Sequence, residues 1–277
     1  PFDGGFLFYY FGTLDQTSHM MMRATDPDHP TSIAARDAPY AHVLEKIYEE
    51  MDRVVGYTLE TMEPNTTLVV MSDHGFTSWR RAFHLNTWLK ENGYITFKDP
   101  NRKDDPGLFM NVDWSQTKAY ALGLNGLYIN LRGREKYGIV GPQERQALMD
   151  ELSEKLLAVI DPETGEQAIT RVYKREEIYH DGGYLDIGPD LQVGYAKGVR
   201  GSNESALGEF PPEIIVDVDD EWNGDHCMDH TAVPGILLTN RPLQRPATSL
   251  KDLGQSILAE FGITEGFPVA ETVATGP

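Results

Sequence analysis

The stretch Val69–Phe76 (VVMSDHGF) constrains the fold of this chain more than any other. It begins as an unbroken apolar run, which is typical of a strand buried on both faces of a parallel sheet. The run ends in Asp73, His74 and Gly75, and ligands of open α/β sheets bind just beyond the carboxyl ends of such strands. An adjacent carboxylate and imidazole can hold a metal ion there, and Gly75 permits a tight turn. Asp-His-Gly is also ordinary turn chemistry, so the stretch alone leaves both interpretations open.

Three other segments favour an α/β fold around this stretch. Residues 36–62 carry one apolar stripe at three- and four-residue spacing, which predicts a long amphipathic helix. Phe6–Phe11, before that helix, is predicted to be a buried strand. Strand, helix and strand form a βαβ unit, which implies a parallel sheet with a right-handed crossover. The later apolar run Gly235–Thr239 is predicted to be another buried strand.

The middle of the chain shows a different pattern, with turn signals and a hairpin. Between 84 and 195 the predicted elements are a helix at 84–92, strands at 118–122 and 126–131, a helix at 143–160 and a strand at 190–195. An irregular stretch at 198–224 and a helix at 249–261 are predicted for the C-terminal part of the chain. The dipeptide Asn125-Gly126 is a strong hairpin signal. We therefore predict a core α/β region at 1–83 and 190–277, with an α+β insertion at 84–189.

The charge of the chain argues against two classes of partner. Lys and Arg number 24 and Asp and Glu number 43, which gives a formal net charge of -19. Such a surface repels nucleic-acid backbones and anionic membranes, so we expect neither as a partner. No apolar stretch approaches the roughly 18 residues that span a bilayer. An anionic substrate would need a local positive centre, which metal ions could supply. The single cysteine, Cys227, leaves the cellular compartment open.

Asp15 and His19 are a second pair of candidate metal ligands. Asp15 directly follows the predicted strand Phe6–Phe11. If a helix begins there, the two side chains share a face at i and i+4 and can chelate one ion. Alternatively, Asp15 caps the helix and His19 lies on the surface.

A third candidate ligand is His226, in the stretch Trp222–His226 that precedes the late strand. A histidine in such a loop can equally well be solvated, and His230 competes with it for the same role. The five candidates together are too many for one tetrahedral zinc ion and suit two ions. They are Asp15, His19, Asp73, His74 and His226.

The order of these motifs resembles that of the alkaline phosphatase superfamily, in particular its type I phosphodiesterase/nucleotide pyrophosphatase branch. The resemblance rests on Asp15-x-x-x-His19, a long helix, a strand, then Ser72–Gly75 and the distant Gly224–His226. Three further segments resemble bacterial members: Phe83–Tyr94, Ala119–Leu131 and Gly188–Leu191. The resemblance implies a mostly parallel sheet sandwiched by helices.

The resemblance also implies a ligand set for two divalent ions, with zinc as the favoured metal. In that family an Asp, a His four residues later and a distant His hold one ion, and these match Asp15, His19 and His226. An adjacent Asp-His pair, matching Asp73 and His74, holds the second ion together with another Asp. The histidines are then ligands and not general bases. The implied substrate is a small phosphate ester, which could be a nucleotide.

One part of the family pattern has no match in this sequence. The family's Thr or Ser nucleophile and its further Asp ligand precede the matched motifs, yet only fourteen residues precede Asp15. We therefore expect the nucleophile upstream of Pro1, the N-terminal part of the fold to be missing, and the 277-residue chain alone to be inactive. Two alternatives stay open: another reaction of the superfamily (phosphomonoesterase, phosphonate hydrolase, sulfatase or phosphoglycerate mutase), or a non-catalytic binding module.

Overall fold

The structure is a computed structural model that describes residues 4–102, 107–179 and 184–264, and these form a mixed α/β fold. The helices are α1 (Thr13–Met21), α2 (Ala34–Asp37), α3 (Val43–Thr61), α4 (Leu85–Glu91), α5 (Pro142–Leu157), α6 (Arg175–Ile178), α7 (Asn203–Ala206) and α8 (Leu250–Glu260). The strands are β1 (Val69–Met71), β2 (Thr77–Ser78), β3 (Arg81–Phe83), β4 (Ala119–Ala121), β5 (Gly126–Ile129), β6 (Ile169–Lys174), β7 (Leu191–Tyr195), β8 (Val199–Gly201), β9 (Ile215–Asp217), β10 (Gly224–Asp225) and β11 (Leu237–Thr239). None of the helices in the described ranges is long and apolar enough to cross a membrane.

The chain divides into two compact units. As far as their residues are described, the first comprises Pro1–Tyr48 and Phe76–Pro234, and the second comprises Glu49–Gly75 and Gly235–Pro277. The predicted division into a core at 1–83 and 190–277 and an insertion at 84–189 stays a prediction.

The largest sheet of the first unit is antiparallel, in the order β4-β5-β7-β6. The predicted hairpin is confirmed, because β4 and β5 pair antiparallel on either side of Asn125. Apolar side chains of this sheet share one core with α5, in which Leu127, Ile129, Met149 and Leu152 are fully buried. The apolar stripe of α5 therefore folds against the sheet, which accounts for much of the burial in this unit.

A buried carboxylate ties this sheet to α5. Asp190, which is 0% exposed, immediately precedes β7. Its Oδ1 accepts a hydrogen bond from Arg145 Nε of α5 at 2.7 Å. Its Oδ2 accepts from Arg134 Nη2 at 2.6 Å and from the backbone N–H of Ile129 at 2.7 Å. These three donors compensate for the removal of the charge from water.

Two smaller sheets of the first unit lie in parts of the chain that the sequence left undefined. One has the order β8-β3-β9, with β3 and β8 parallel, and the other pairs β2 with β10 antiparallel. The prediction of an irregular stretch at 198–224 was therefore wrong in part, since it contains β8, α7 and β9. Strands of three residues are too short for hydrophobic alternation to identify them.

The predicted strand at Phe6–Phe11 is not formed. These residues have no regular secondary structure and pair with no strand in the described part of the chain, and they are 43% to 72% exposed. An apolar run satisfies the sequence pattern of a buried strand, yet a strand exists only where a neighbour supplies hydrogen bonds. Without it, the predicted parallel βαβ unit is also not observed.

The sheet of the second unit is antiparallel, not parallel as predicted. β1 pairs with β11, and Ser72 extends the pairing through its backbone N–H and its Oγ, which meet the backbone of Ile236 at 3.1 and 2.9 Å. The side chains of β11 are exposed, which also corrects the prediction of a buried strand at Gly235–Thr239. Among the described strands, β3 and β8 form the one parallel pair, so a mostly parallel sheet is not observed.

Candidate metal centre

Helix α1 places Asp15 and His19 on one face. The helix has Gly12 as its N-cap, so Asp15 lies in the first turn and does not cap it. His19 follows one turn later, and its Nε2 lies 3.7 Å from Oδ1 of Asp15. Only 4% of His19 is exposed, which excludes the alternative of a surface histidine.

Backbone and aromatic contacts fix the orientation of the His19 ring. The ring stacks on Trp222, with 3.6 Å between centroids and 25° between planes, and meets the edge of Phe76 at 4.6 Å. Its Nδ1 lies 2.7 Å from the carbonyl oxygen of Gly224. A carbonyl oxygen only accepts, so Nδ1 carries the proton and Nε2 presents a lone pair towards Asp15. Burial lowers the pKa of His19, and this effect outweighs the hydrogen bond to Gly224, which raises the pKa. The lowered pKa favours the neutral ring.

The close approach of β10 to α1 depends on Gly224. A Cβ atom at this position would lie 2.6 Å from Cβ of Met22 and closer still to the backbone oxygen of Ser18. A residue without a side chain is therefore required for the two backbones to meet. The contact is reinforced by the backbone N–H of Asn223, which donates to the carbonyl of His19 at 2.8 Å.

The pairing of β10 with β2 delivers His226 to the same place. Its Nε2 lies 3.9 Å from Oδ1 of Asp15, and its ring centroid is 5.1 Å from that of His19. One ligand atom from each of Asp15, His19 and His226 falls within 4.8 Å of the others. His230, the competing candidate, instead has a side chain that is 77% exposed, with Nδ1 3.2 Å from the hydroxyl of Tyr173.

Asp225 is buried beside these residues, but its carboxylate is already occupied. Oδ1 accepts the backbone N–H groups of His226 and Cys227 at 2.7 and 2.8 Å. Oδ2 accepts from Nε1 of Trp222 at 3.0 Å and lies 2.8 Å from Nε of Arg200. Burial alone would raise the pKa of Asp225, but Arg200 and these donors outweigh it and hold the pKa below its ordinary value. The carboxylate therefore shapes the loop that carries His226.

Arg200 and Trp222 are parts of the centre to which sequence reasoning gave no role. The guanidinium of Arg200 lies 4.2 Å from the ring centroid of Trp79, which holds it opposite Asp225. Trp222 could have been found, because it lies four residues before His226 in the same stretch. Arg200 carries no local signal, since it is distant in sequence from every ligand candidate.

Cys227 can form a second candidate group with Asp225 and His226. Its Sγ lies 3.9 Å from Nδ1 of His226, on the side of the ring away from the atom that approaches Asp15. Burial raises the pKa of the thiol to about 11, so the thiolate that binds metals is disfavoured. Because Asp225 is also committed, the group with Asp15 and His19 is the better donor set.

Asp73 and His74 lie at the end of β1, in the second unit. Their side chains face each other, with Oδ2 of Asp73 3.5 Å from Nε2 of His74. Nδ1 of His74 lies 3.0 Å from the carbonyl oxygen of Gly75, which assigns the proton to Nδ1 as in His19. Their participation in a metal site stays a prediction.

The sequence of the chain matches one family of known proteins. The model of the family "Type I phosphodiesterase / nucleotide pyrophosphatase" matches residues 3–228. A search of curated proteins found no match. Among solved structures, human ectonucleotide pyrophosphatase/phosphodiesterase 5 aligns over 93% of this chain and 54% of its own, at 15% identity and a TM-score of 0.40.

A second solved structure, phosphonoacetate hydrolase from Sinorhizobium meliloti 1021 in complex with phosphonoformate, aligns over 84% of this chain and 48% of its own. The identity is 13% and the TM-score is 0.38. The chain therefore spans about half the length of the two solved proteins. Since the family model covers most of the sequence, this chain belongs to the type I phosphodiesterase/nucleotide pyrophosphatase family.

Proposed function

We propose that this chain provides metal ligands for a two-metal phosphoric-ester hydrolase of the phosphodiesterase/nucleotide pyrophosphatase type. Asp15, His19 and His226 would bind one divalent cation, with zinc as the favoured ion. The observation that carries this proposal is the convergence of three ligand atoms, from α1 and from the loop after β10, within 4.8 Å. Membership of the family supports it.

The donor set fits a zinc ion. Ligand atoms 2.0–2.1 Å from one tetrahedral ion lie roughly 3.3–3.4 Å apart, so the observed 3.7 and 3.9 Å around Asp15 need to shorten by about half an ångström. We expect rotation of the Asp15 and His226 side chains, which are 24% and 27% exposed, to supply a change of that size, while the His19 ring stays in place. The hydrogen bond from Nδ1 of His19 to a backbone carbonyl is the outer contact that metal-bound histidines usually make.

Asp73 and His74 would bind the second ion. The carboxylate and imidazole are adjacent, and their facing oxygen and nitrogen atoms are ligand types that zinc accepts. The nucleophile and the further Asp ligand of the family are assigned to no residue of this chain, so we expect the 277-residue chain alone to be inactive in hydrolysis.

The substrate would be a small phosphate ester, which could be a nucleotide. Bound divalent ions supply Lewis acidity at the phosphoryl oxygens and offset the repulsion between an anionic substrate and a chain of net charge -19. Burial favours the neutral form of His19, and Trp222 and Gly224 orient its ring. Arg200 meanwhile neutralises Asp225, which leaves Asp15 as the carboxylate directed at the ion.

Zinc binding by the chain tests this proposal directly. We expect isothermal titration with Zn²⁺ to show that Asp15→Asn and His226→Ala each weaken the tightest site by more than about a hundredfold, because each removes a direct ligand. His230→Ala is the matched control, since it removes an exposed histidine outside the cluster. Equal affinities for the His226→Ala and His230→Ala variants would refute the ligand assignment.

Hydrolysis tests the enzymatic part separately. We expect the full gene product to cleave bis(p-nitrophenyl) phosphate in a reaction that a chelator abolishes and Zn²⁺ restores. The His226→Ala variant of that product should lose the activity, whereas His230→Ala should keep it. Chelator-resistant turnover would count against the two-metal proposal, and efficient turnover by the 277-residue chain alone would contradict the expected inactivity.

A further inference from the structure

Two groups of potential metal ligands in the first unit share His226. The Asp15 group comprises Asp15, His19 and His226. The Cys227 group comprises Asp225, His226 and Cys227, and the ligand atoms of each group lie within 4.8 Å of one another. Nε2 of His226 faces Asp15 at 3.9 Å, whereas its Nδ1 lies 3.9 Å from Sγ of Cys227. The two nitrogens of one ring therefore serve different groups, so a metal ion has two places to bind.

The Cys227 group offers the softer ligand. Thiolate sulfur binds soft and borderline ions, Zn²⁺ among them, as readily as imidazole or carboxylate does. Cys227 is partly exposed, and a bound ion displaces the thiol proton, so protonation alone does not close this group. Binding to the Asp15 group therefore requires a feature of the structure that keeps the ion away from the cysteine.

Arg200 places a positive charge inside the Cys227 group. Its Nε lies 2.8 Å from Oδ2 of Asp225, and the two side chains are 6% and 2% exposed. Both side chains also face the thiol of Cys227. Nε has no hydrogen-bond partner of regular geometry among the described residues, so its contact with Asp225 acts chiefly through charge. A divalent ion brought to the same oxygens would meet this buried cation at close range, where like charges repel strongly.

Several contacts hold the guanidinium of Arg200 in this position. Its Cζ lies 4.2 Å from the ring centroid of Trp79, which is itself buried. Its Nη1 donates to the carbonyl of Gly201 at 3.2 Å and to Oδ1 of Asn203 at 3.0 Å. An ion that displaced the guanidinium would break these contacts and leave a buried charge without its partner, which is costly. The cation is therefore a fixed part of the fold.

The two carboxylates of the shared region differ in what their oxygens face. Neighbouring N–H groups donate to Asp225, two of them to Oδ1 and one to Oδ2, in addition to the charge of Arg200. A carboxylate has about four lone-pair sites, so little acceptor capacity is left for an ion. Oδ1 of Asp15 instead faces Nε2 of both His19 and His226, and its side chain is 24% exposed.

We propose that Arg200 is a positioning residue for metal binding, which closes the Cys227 group to cations and thereby directs the ion to the Asp15 group. The guanidinium takes the place of a cation beside Asp225, and its charge repels a second one. Through this closure the chain binds its ion without sulfur, although a cysteine directly follows one of the ligands. The inference rests on the proposed metal centre and concerns which of two donor groups the ion enters.

Cadmium, a divalent ion that favours sulfur, tests the closure in the wild-type chain. With one equivalent of Cd²⁺ we expect no thiolate-to-cadmium charge-transfer band in the ultraviolet difference spectrum and no sulfur ligand in the X-ray absorption spectrum. A sulfur ligand in the wild type would overturn this inference and leave metal binding itself standing. Absence of any bound Cd²⁺ would also overturn it, while the titration with Zn²⁺ decides separately on the metal centre.

Two variants of Arg200 separate the charge of the guanidinium from its packing. Arg200→Gln removes the charge, so we expect its Cd²⁺ complex to gain the charge-transfer band and one sulfur ligand, and the thiol proton to pass to the buffer. Adding Cys227→Ala should remove both signals. Arg200→Lys keeps the charge but loses the planar group that lies over Trp79, and it should remain without the sulfur ligand like the wild type.

A second carboxylate variant tests whether charge is the cause. Arg200→Gln combined with Asp225→Asn removes both members of the ion pair, so this double variant should lose the sulfur ligand that Arg200→Gln gains. Equal bands in the Gln, Lys and double variants would show that loosened packing exposes the cysteine, and the inference would be wrong. A Cd²⁺ complex of Arg200→Gln without sulfur would also overturn it. The wild-type measurement keeps the inference falsifiable if Arg200→Gln does not fold, as near-ultraviolet circular dichroism would reveal.

Discussion

Removal of the Asp190 carboxylate should strongly destabilise the first unit. Asp190→Ala leaves the guanidinium groups of Arg134 and Arg145 without their buried partner and leaves the N–H of Ile129 without an acceptor. Breaking a buried ion pair costs about 3–5 kcal/mol. The arginines retain Glu135 and Glu176 as second partners, at 2.7 and 2.9 Å. We therefore expect a loss at the lower end of that range, near 3 kcal/mol.

Urea unfolding followed by tryptophan fluorescence measures this loss. The four tryptophans all lie in the first unit, so their signal reports the stability of that unit. For an m value of about 1–3 kcal/mol/M, the midpoint should fall by roughly 1 M or more. The control is Asp150→Ala, which breaks an exposed pair with Lys174 and should cost about 0–1 kcal/mol. A difference of under 1 kcal/mol between the two variants would refute a structural role for the buried carboxylate.

Two further predictions concern the surroundings of the candidate metal centre, and a third concerns the ion pair of Asp26 with Arg80 in the first unit. Gly224→Ala should destabilise the first unit by about 1–3 kcal/mol in the same assay and weaken zinc binding, because the added Cβ collides with the backbone oxygen of Ser18. Cys227→Ala should leave zinc affinity within about twofold of the wild type, since its sulfur lies on the Nδ1 side of His226. Burial alone would raise the pKa of Asp26, but the hydrogen bonds and charge of Arg80, together with the backbone N–H of Asp28, outweigh it and lower the pKa. The stabilisation by this carboxylate is therefore present above the unfolded pKa of about 3.9 and is lost as pH falls through the folded pKa. Asp26→Asn should thus cost stability at pH 7 and progressively less as the pH falls below about 3.9, as unfolding at a series of pH values would show.

Local patterns were enough to predict several elements of the fold. The amphipathic stripe at 36–62 identified α3, which spans Val43–Thr61, and the Asn-Gly turn identified the β4–β5 hairpin. Each depends on interactions within a short stretch of chain, so the sequence pattern carries the information. The prediction of a strand at Phe6–Phe11 was wrong because a strand depends on partners that are distant in sequence, which a local pattern does not reveal.

The sequence predicted that Asp15, His19 and His226 lie together, but it did not predict the residues that support them. The i, i+4 spacing of Asp15 and His19 is local, and the family motif led us to His226, which lies beside them. The role of Arg200 depends on a long-range ion pair with Asp225 that no spacing encodes.

X-ray absorption of the chain loaded with one equivalent of Zn²⁺, which fills the tightest site, tests most directly the central claim that Asp15, His19 and His226 bind one ion. We predict two imidazole ligands and light-atom scattering at about 2.0–2.1 Å, with no sulfur at about 2.3 Å. His226→Ala should reduce the imidazole contribution from two to one, and His230→Ala should leave the spectrum unchanged. A sulfur ligand, or an unaltered imidazole contribution in the His226→Ala variant, would contradict the account.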